Sequence, residues 1–341
     1  MMHQLSVVER CFTAIVSAGR ILRGFVRSVN LHRSGSDRIP KLESWNMGLY
    51  LLVTIMRTFV VSHSRDLQTL RAVTDFPLIP TIPRGAVWTH MNIEGVHTEM
   101  VWPLSLGQKP PLSNHRVILY LHGGGGALCT SESHRWLTHG IAVRGQAVVV
   151  VPNYRRVPEV SLAHSVDDAI TLYKYLLETV GSSDQIGIAG DSAGGTLTVL
   201  TLCRIRDLGL PMPACGALLS PWCDISQVPK IASPVDYLTR DVIEFMMSLI
   251  EGSSREFGCN VSELNPMEVS LSRFPPMMIQ LGEAELFADQ IRALSKRFAT
   301  GATLKEYQEM VHIPHFFSFL STEGDRALSD LGIFLRSSIH S

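Results

Sequence analysis

The chain has 341 residues, of which 45% are hydrophobic and 18% charged, enough apolar side chain for a sizeable core and too much for a disordered chain. The formal net charge is −1, which excludes the basic surplus that nucleic-acid binding requires.

The charge is unevenly spread. Residues 1–40 hold six arginines against Glu9 and Asp37, a net of +4, and leave 24 basic against 29 acidic residues for the rest. Leu5, Val8, Phe12, Ile15, Gly19, Leu22, Val26 and Val29 recur at helical spacing, opposite Arg10, Arg20, Arg23 and Arg27. This pattern predicts an amphipathic helix, packed on the body of the protein or lying on a membrane surface. Peripheral membrane contact through residues 1–30 is therefore one expectation, and an Arg-rich organellar presequence a third reading. Residues 45–70 read as a second helical region broken near 62–64. The apolar run 48–56 has nine residues and is cut by Arg57, too short for a membrane span. There is no secretory signal pattern. The six cysteines (Cys11, Cys129, Cys203, Cys215, Cys223 and Cys259) match no zinc spacing and read as mostly buried thiols of a reducing compartment. An intracellular, cytoplasmic location is expected.

After Pro77, Pro80 and Pro83 the pattern changes. Residues 87–93 and 96–102 flank Glu94-Gly95, the signature of a β-hairpin. Strands are predicted at 117–121, 147–151, 186–189, 214–219, 277–281 and 303–307, and helices at 166–179, 194–208, 289–299 and 326–336. Short apolar strands alternating with helices imply an α/β fold with a mostly parallel central sheet covered on both faces. The rhythm breaks between 224 and 273, where only 236–250 looks helical. The expected organisation is an N-terminal helical cap or membrane-facing segment over 1–75, then a catalytic domain over 76–341 carrying a cap insertion at 224–273.

Gly190-Asp191-Ser192-Ala193-Gly194 stands between an apolar strand and a helical segment. A Gly-x-Ser-x-Gly turn in that setting thrusts the serine hydroxyl out at the carboxyl end of the sheet. His122-Gly123-Gly124-Gly125-Gly126 follows another strand directly. Four glycines in a row cost conformational entropy and pack nothing, which makes sense where backbone N–H groups must approach a ligand. No Lys-Ser/Thr follows, so a phosphate loop is disfavoured. The N–H groups of Gly124, Gly125 and Ala193 are the expected oxyanion hole, worth about 3 kcal/mol per donor in acyl transfer. A serine nucleophile also needs a base and an orienting acid, which follow it in that fold in the order Ser, acid, His. Glu283, Glu285 and Asp289 follow the strand at 277–281, and His312 and His315 follow the strand at 303–307. His122 is expected to orient the glycine loop; it has no partner at metal-ligand spacing. Neither a metal nor a cofactor is expected.

These residues carry a family resemblance. From about residue 84 to the C-terminus the chain resembles the hormone-sensitive-lipase-like (GDXG lipolytic) α/β hydrolases. The motifs are His122–Gly125, Tyr154-Arg155-Arg156-Val157-Pro158-Glu159, Asp167-Asp168-Ala169, Gly190–Gly195 and Ser220-Pro221-Trp222. The resemblance implies the α/β-hydrolase fold. It also implies a serine esterase that cleaves a small, mainly apolar ester through an acyl-enzyme. Its Gly-x-x-Asp-x-x-x-Asp and His-x-Phe patterns assign the acid to Glu285 and the base to His315. Glu285 stands where aspartate is commoner, so Glu283 and Asp289 stay open. His312 reads as a loop histidine, and the family's prolines around 161–163 are missing. Relatives that cleave amides, or that bind a small molecule without hydrolysis, supply the alternative readings.

Overall fold

The structure, a computed structural model, describes residues 39–76, 85–108, 112–298 and 301–340. The amphipathic helix expected over residues 1–30, and any membrane contact it makes, lie outside the described residues.

Eight strands form one sheet: β1 (Ala86–Ile93), β2 (Val96–Pro103), β3 (Arg116–Leu121), β4 (Ala147–Pro152), β5 (Ile186–Asp191), β6 (Cys215–Leu219), β7 (Met277–Gly282) and β8 (Thr303–Tyr307). Their order is β1-β2-β4-β3-β5-β6-β7-β8. The β1–β2 and β2–β4 pairs are antiparallel and every other pair is parallel. The predicted hairpin is present, with Glu94 and Gly95 both at positive φ (49° and 90°), as a two-residue turn between right-twisted strands needs. β4 to β7 are buried along their whole length, which is why they read as continuous apolar runs.

Helices α4 (Leu162–Val180) and α5 (Ala193–Asp207) cover one face, packing Leu172, Leu176, Leu197 and Val199 against Val117, Leu119 and Ile188. Helices α3 (Arg135–Gly145) and α8 (Thr322–Ser338) cover the other, with Leu137, Ile141, Leu331 and Leu335 against Ile118, Val149 and Ala217. A third cluster joins α1 (Met47–Ser62) to the loop after β8 and to the segment after β6, through Trp45, Leu49 and Val53 against Val235, Tyr237, Val311 and Phe317. A shorter helix, α2 (Leu67–Thr74), follows the break expected near 62–64. β4 lies on one side of β3 and β5 on the other, so the winding reverses at β3. In open α/β sheets ligands bind at the carboxyl ends of strands flanking such a reversal. Here those ends are His122 and Ser192.

Several elements differ from expectation. Helix α3 is absent from the sequence reading because its eleven residues include Thr138, His139, Gly140 and Gly145, which dilute a stripe of Leu137, Ile141 and Ala142. Helices α4 and α8 begin four residues before the expected starts, and Ser321 caps α8 by accepting from Gly324 N. Helix α6 runs Arg240–Glu256 rather than 236–250, and α7 is Ala288–Ser295. The start of α6 is displaced because the Asp236 side chain is engaged elsewhere, with Leu286 N at 2.7 Å. Among the described residues no helix is long and apolar enough to cross a membrane. Cys203, Cys215 and Cys223 are buried thiols, Cys129 and Cys259 are partly exposed, and Cys11 lies outside the described residues.

Candidate active site

The glycine loop leaves β3 at Leu121 and folds back on itself: Leu128 N donates to Gly124 O at 2.8 Å. Gly124 sits at φ +110°, and a Cβ there would run into the Leu128 carbonyl. The loop is held from outside by the residues of the Tyr-Arg motif and by α2. The Tyr154 hydroxyl donates to His122 O (2.6 Å), Arg156 to Cys129 O (2.6 Å), Val157 N to Gly126 O (3.0 Å) and Arg71 to Ala127 O (2.8 Å). Arg71 in turn pairs with Glu159, and Arg155 with Asp168. The His122 ring stacks on Tyr154 and faces Gly123 O at 2.9 Å; burial pushes its pKa down to about 3, so it is neutral. The N–H groups of Gly124, Gly125 and Ala193 have no hydrogen-bond partner among the described residues.

Ser192 is the residue between β5 and α5, at φ 50° and ψ −121°. A non-glycine residue there stores roughly 1–3 kcal/mol of strain. The turn is tight enough that a Cβ at Gly190 would strike the Gly194 carbonyl, and one at Gly194 the Leu121 carbonyl. The serine is pinned by its own backbone: Ser192 N donates to Leu219 O (3.0 Å) and Trp222 N donates to Ser192 O (2.9 Å). Beside it, Asp191 locks the turn to the glycine loop, accepting from Tyr120 Oη (2.7 Å) and Gly123 N (3.0 Å), with His134 Nε2 at 3.3 Å. Burial opposes ionisation of Asp191, but the His134 imidazole and the Tyr120 hydroxyl outweigh it and hold the carboxyl below its ordinary value.

Glu285 is buried at the carboxyl end of β7. Its Oε2 accepts from Ser220 Oγ (2.6 Å) and Gly282 N (2.7 Å), while Oε1 faces His312 Nδ1 at 3.5 Å. Of the two histidines, the imidazole brought to Glu285 is that of His312, and His315, which the family pattern points to as the base, packs elsewhere. His315 lies on the short 3-10 turn Pro314–Phe317 with its Nε2 on Gln280 Oε1 (3.0 Å), and Gln280 donates to Tyr307 Oη and Ala327 O. That makes His315 a fully buried tie between β7, β8 and α8, and burial lowers its pKa to about 3. The physical reason is a backbone reversal: Ile313 adopts φ 53°, ψ 72°, rare for a β-branched residue, and turns the chain between the two histidines. The other acid candidates lie outside. Asp289 is exposed and pairs with Arg292, and exposed Glu283 accepts from Glu309 N.

Ser220, Ser192 and Ile313 form one assembly. Ser220, itself at φ 44°, accepts from Ile313 N (3.0 Å) through the hydroxyl that donates to Glu285. Its neighbours Leu219 and Trp222 hold Ser192. Among the described residues, Glu285 Oε1 and both His312 ring nitrogens are buried without a geometrically sound protein hydrogen bond, as is Nδ1 of His315. His312 is walled by Phe287 (5.4 Å between rings) and Tyr237 (5.9 Å). Met246 of α6 lies against Gly125, where a Cβ would be 2.9 Å from its Cγ. Sequence reading missed Ser220, Asp236 and Met246 as site residues; of these only Ser220 sits in a motif. A grouping of His90, Glu99 and Glu132 could offer three ligand atoms to a metal, but Glu99 is already paired bidentately with Arg135.

Comparison with known proteins gives the fold and the family. Residues 118–317 match the α/β-hydrolase fold family. An acetyl-hydrolase of Streptomyces hygroscopicus is 33% identical over 237 residues, covering 67% of this chain and 78% of that protein. The crystal structure of a mutant of the esterase E40 superposes with a TM-score of 0.77 at 26% identity, over 88% of this chain and 100% of the other. That of a hormone-sensitive lipase from a metagenome library gives 0.72 at 26% identity, over 83% and 97%. The chain belongs to the α/β-hydrolase fold family, among the carboxylesterases that resemble hormone-sensitive lipase.

Proposed function

We propose that the protein hydrolyses carboxylic esters of short acyl chains, acetyl esters foremost, through an acyl-enzyme on Ser192. The observation that carries this reading is the shared bracing of the strained serine turn and the Glu285–His312 pair by residues 219–222. In the first half-reaction the Ser192 hydroxyl attacks the ester carbonyl as His312 Nε2 takes its proton. The carbonyl oxygen becomes an oxyanion, received by the N–H groups of Gly124, Gly125 and Ala193. Collapse expels the alcohol, which leaves with the proton from His312. Water then repeats the sequence on the acyl-enzyme, releasing the acid and restoring Ser192. Glu285 accepts the Nδ1–H of His312 and steadies the imidazolium.

Residues 39–76 and 224–276 close the site as a cap, and Met246 against Gly125 limits the room beside the oxyanion. Both the apolar wall of Tyr237, Phe287 and Met246 and the acetyl-hydrolase relative favour a small, apolar acyl group. The test is fluorophosphonate labelling of wild type and Ser192→Ala, followed by p-nitrophenyl esters of graded chain length. Labelling lost in folded Ser192→Ala, and kcat/KM falling as the acyl chain lengthens, is the expected result. Full esterase activity in that variant would end the reading. Met246→Ala should shift the preference toward longer chains.

A further inference from the structure

The turn Ser233–Asp236 belongs to the segment between β6 and β7, yet it touches both halves of the acid–base pair. The Ser233 hydroxyl donates to Ala284 O (2.6 Å), and Asp236 Oδ2 accepts from Leu286 N (2.7 Å). Ala284 and Leu286 are the two neighbours of Glu285, so the turn grips the backbone on either side of that carboxylate. The second oxygen, Asp236 Oδ1, accepts from His312 N (3.3 Å) and from Leu238 N (3.4 Å). The turn is closed on itself by Asp236 N donating to Ser233 Oγ (3.1 Å). From the far side, Arg57 of α1 donates to the carbonyls of Ser233 and Asp236.

We infer that Ser233 and Asp236 are positioning residues that set the distance and angle between Glu285 and His312, so that this segment tunes the base as well as covering the site. The inference rests on the reading of Glu285 and His312 as acid and base. Only a carboxylate can serve both loops at once, because Leu286 N and His312 N take different oxygens and an amide has one acceptor. The carboxylate is kept at a cost. Asp236 is fully buried, and the charge of Glu285 nearby also disfavours ionisation, opposed by His312. Together they push its pKa up to about 6. A residue chosen for stability alone would not need that charge.

The test compares kcat and KM for p-nitrophenyl acetate in Asp236→Asn, Ser233→Ala and Ser233→Thr, with the rate of fluorophosphonate labelling as a second measure. Asp236→Asn should lower kcat about tenfold or more, since sub-ångström misplacement of a base is felt strongly in turnover. KM should stay within about twofold, because the bonds removed are made to backbone groups of Ala284, Leu286 and His312 and not to the rings of the acyl wall. Ser233→Ala should lower kcat about threefold, since it removes both the tie to Ala284 O and the turn's own bond from Asp236 N, and Ser233→Thr, which keeps the hydroxyl, should restore it. Labelling rates should follow kcat. If Asp236→Asn does not fold, the Ser233 pair decides alone. Wild-type kcat in folded Ser233→Ala, or equal losses in the alanine and threonine variants, overturns the inference. Inactive Ser192→Ala and His312→Ala beside a fully active Ser233→Ala sinks the clasp and leaves the catalytic assignment standing. Active Ser192→Ala or His312→Ala sinks the catalytic assignment first.

Discussion

The turn around Ser192 and the loop around His312 carry comparable shares of the proposed chemistry but are held in different ways. The serine turn also has distant partners, but its shape depends on Gly190 and Gly194, which alone admit the close approach of strand, helix and Leu121. The histidine loop is fixed from a distance: His312 N is bonded to a carboxylate 76 residues away and Ile313 N to a hydroxyl 93 residues away. A site element whose shape demands glycine at fixed positions advertises itself as a motif. One built from distant partners does not, and its tolerance to substitution depends on residues no motif contains.

The largest effect that would break this comparison is at the two histidines. His312→Ala should lower kcat by about four orders of magnitude with the fold intact, the scale seen when a triad base or its tautomer is lost. His315→Gln should keep turnover within about tenfold, since its side chain can still donate to Gln280. Steady-state kinetics on both, with circular dichroism to confirm folding, decides between them; the reverse order would return the base to His315. Next in size is Glu285→Gln, expected to cost about two to four orders of magnitude in kcat. The neutral amide stabilises no imidazolium, and it can favour the wrong tautomer. Glu283→Gln and Asp289→Asn, both exposed, should be close to silent in kcat.

The smallest effect concerns pH. Burial holds His122 and His315 near 3 in the folded protein against about 6.5 when exposed, so between those values the unfolded chain binds two more protons there. Stability from these groups is therefore present above about 6.5 and is lost as pH falls. Asp236 works the other way. The folded chain holds a proton up to about 6 that the unfolded chain releases near 3.8, which opposes the loss over that interval. Each group contributes at most about 1.4 kcal/mol per pH unit. Thermal unfolding of His315→Gln between pH 7 and 5 should be visibly less pH-dependent than that of wild type. An unchanged slope would show that His315 is not held neutral by its burial.

Much of the fold was legible because it rests on local rules. The strands read as apolar runs, the hairpin through Glu94-Gly95, and the serine and glycine loops through backbone demands that only glycine meets. The position of Glu285 at the carboxyl end of β7 was legible from the sequence. Which histidine faces it was not, because two histidines three residues apart are equivalent in pattern, and Ile313, in a left-handed conformation that no sequence rule assigns to isoleucine, turns the chain between them. Helix α3 was hidden by its glycines and α6 was read four residues early, since Asp236 leaves the helix to bind two other loops. At α6 the cause is a polar side chain whose distant partners override local propensity.

Arg71 has a consequence for how such proteins can be recombined. It lies on α2, before the sheet begins, and yet it bonds the carbonyls of Ala127 and Val157 and pairs with Glu159. The N-terminal helices and the glycine loop are thus not independent modules. Swapping residues 39–76 for those of a relative, as one would to transplant a substrate preference, also exchanges a strut beneath the proposed oxyanion donors. A chimera that keeps an arginine at this position inherits the loop geometry along with the new surface. One that loses it trades specificity and turnover together, even though no exchanged residue touches the substrate's reacting carbon.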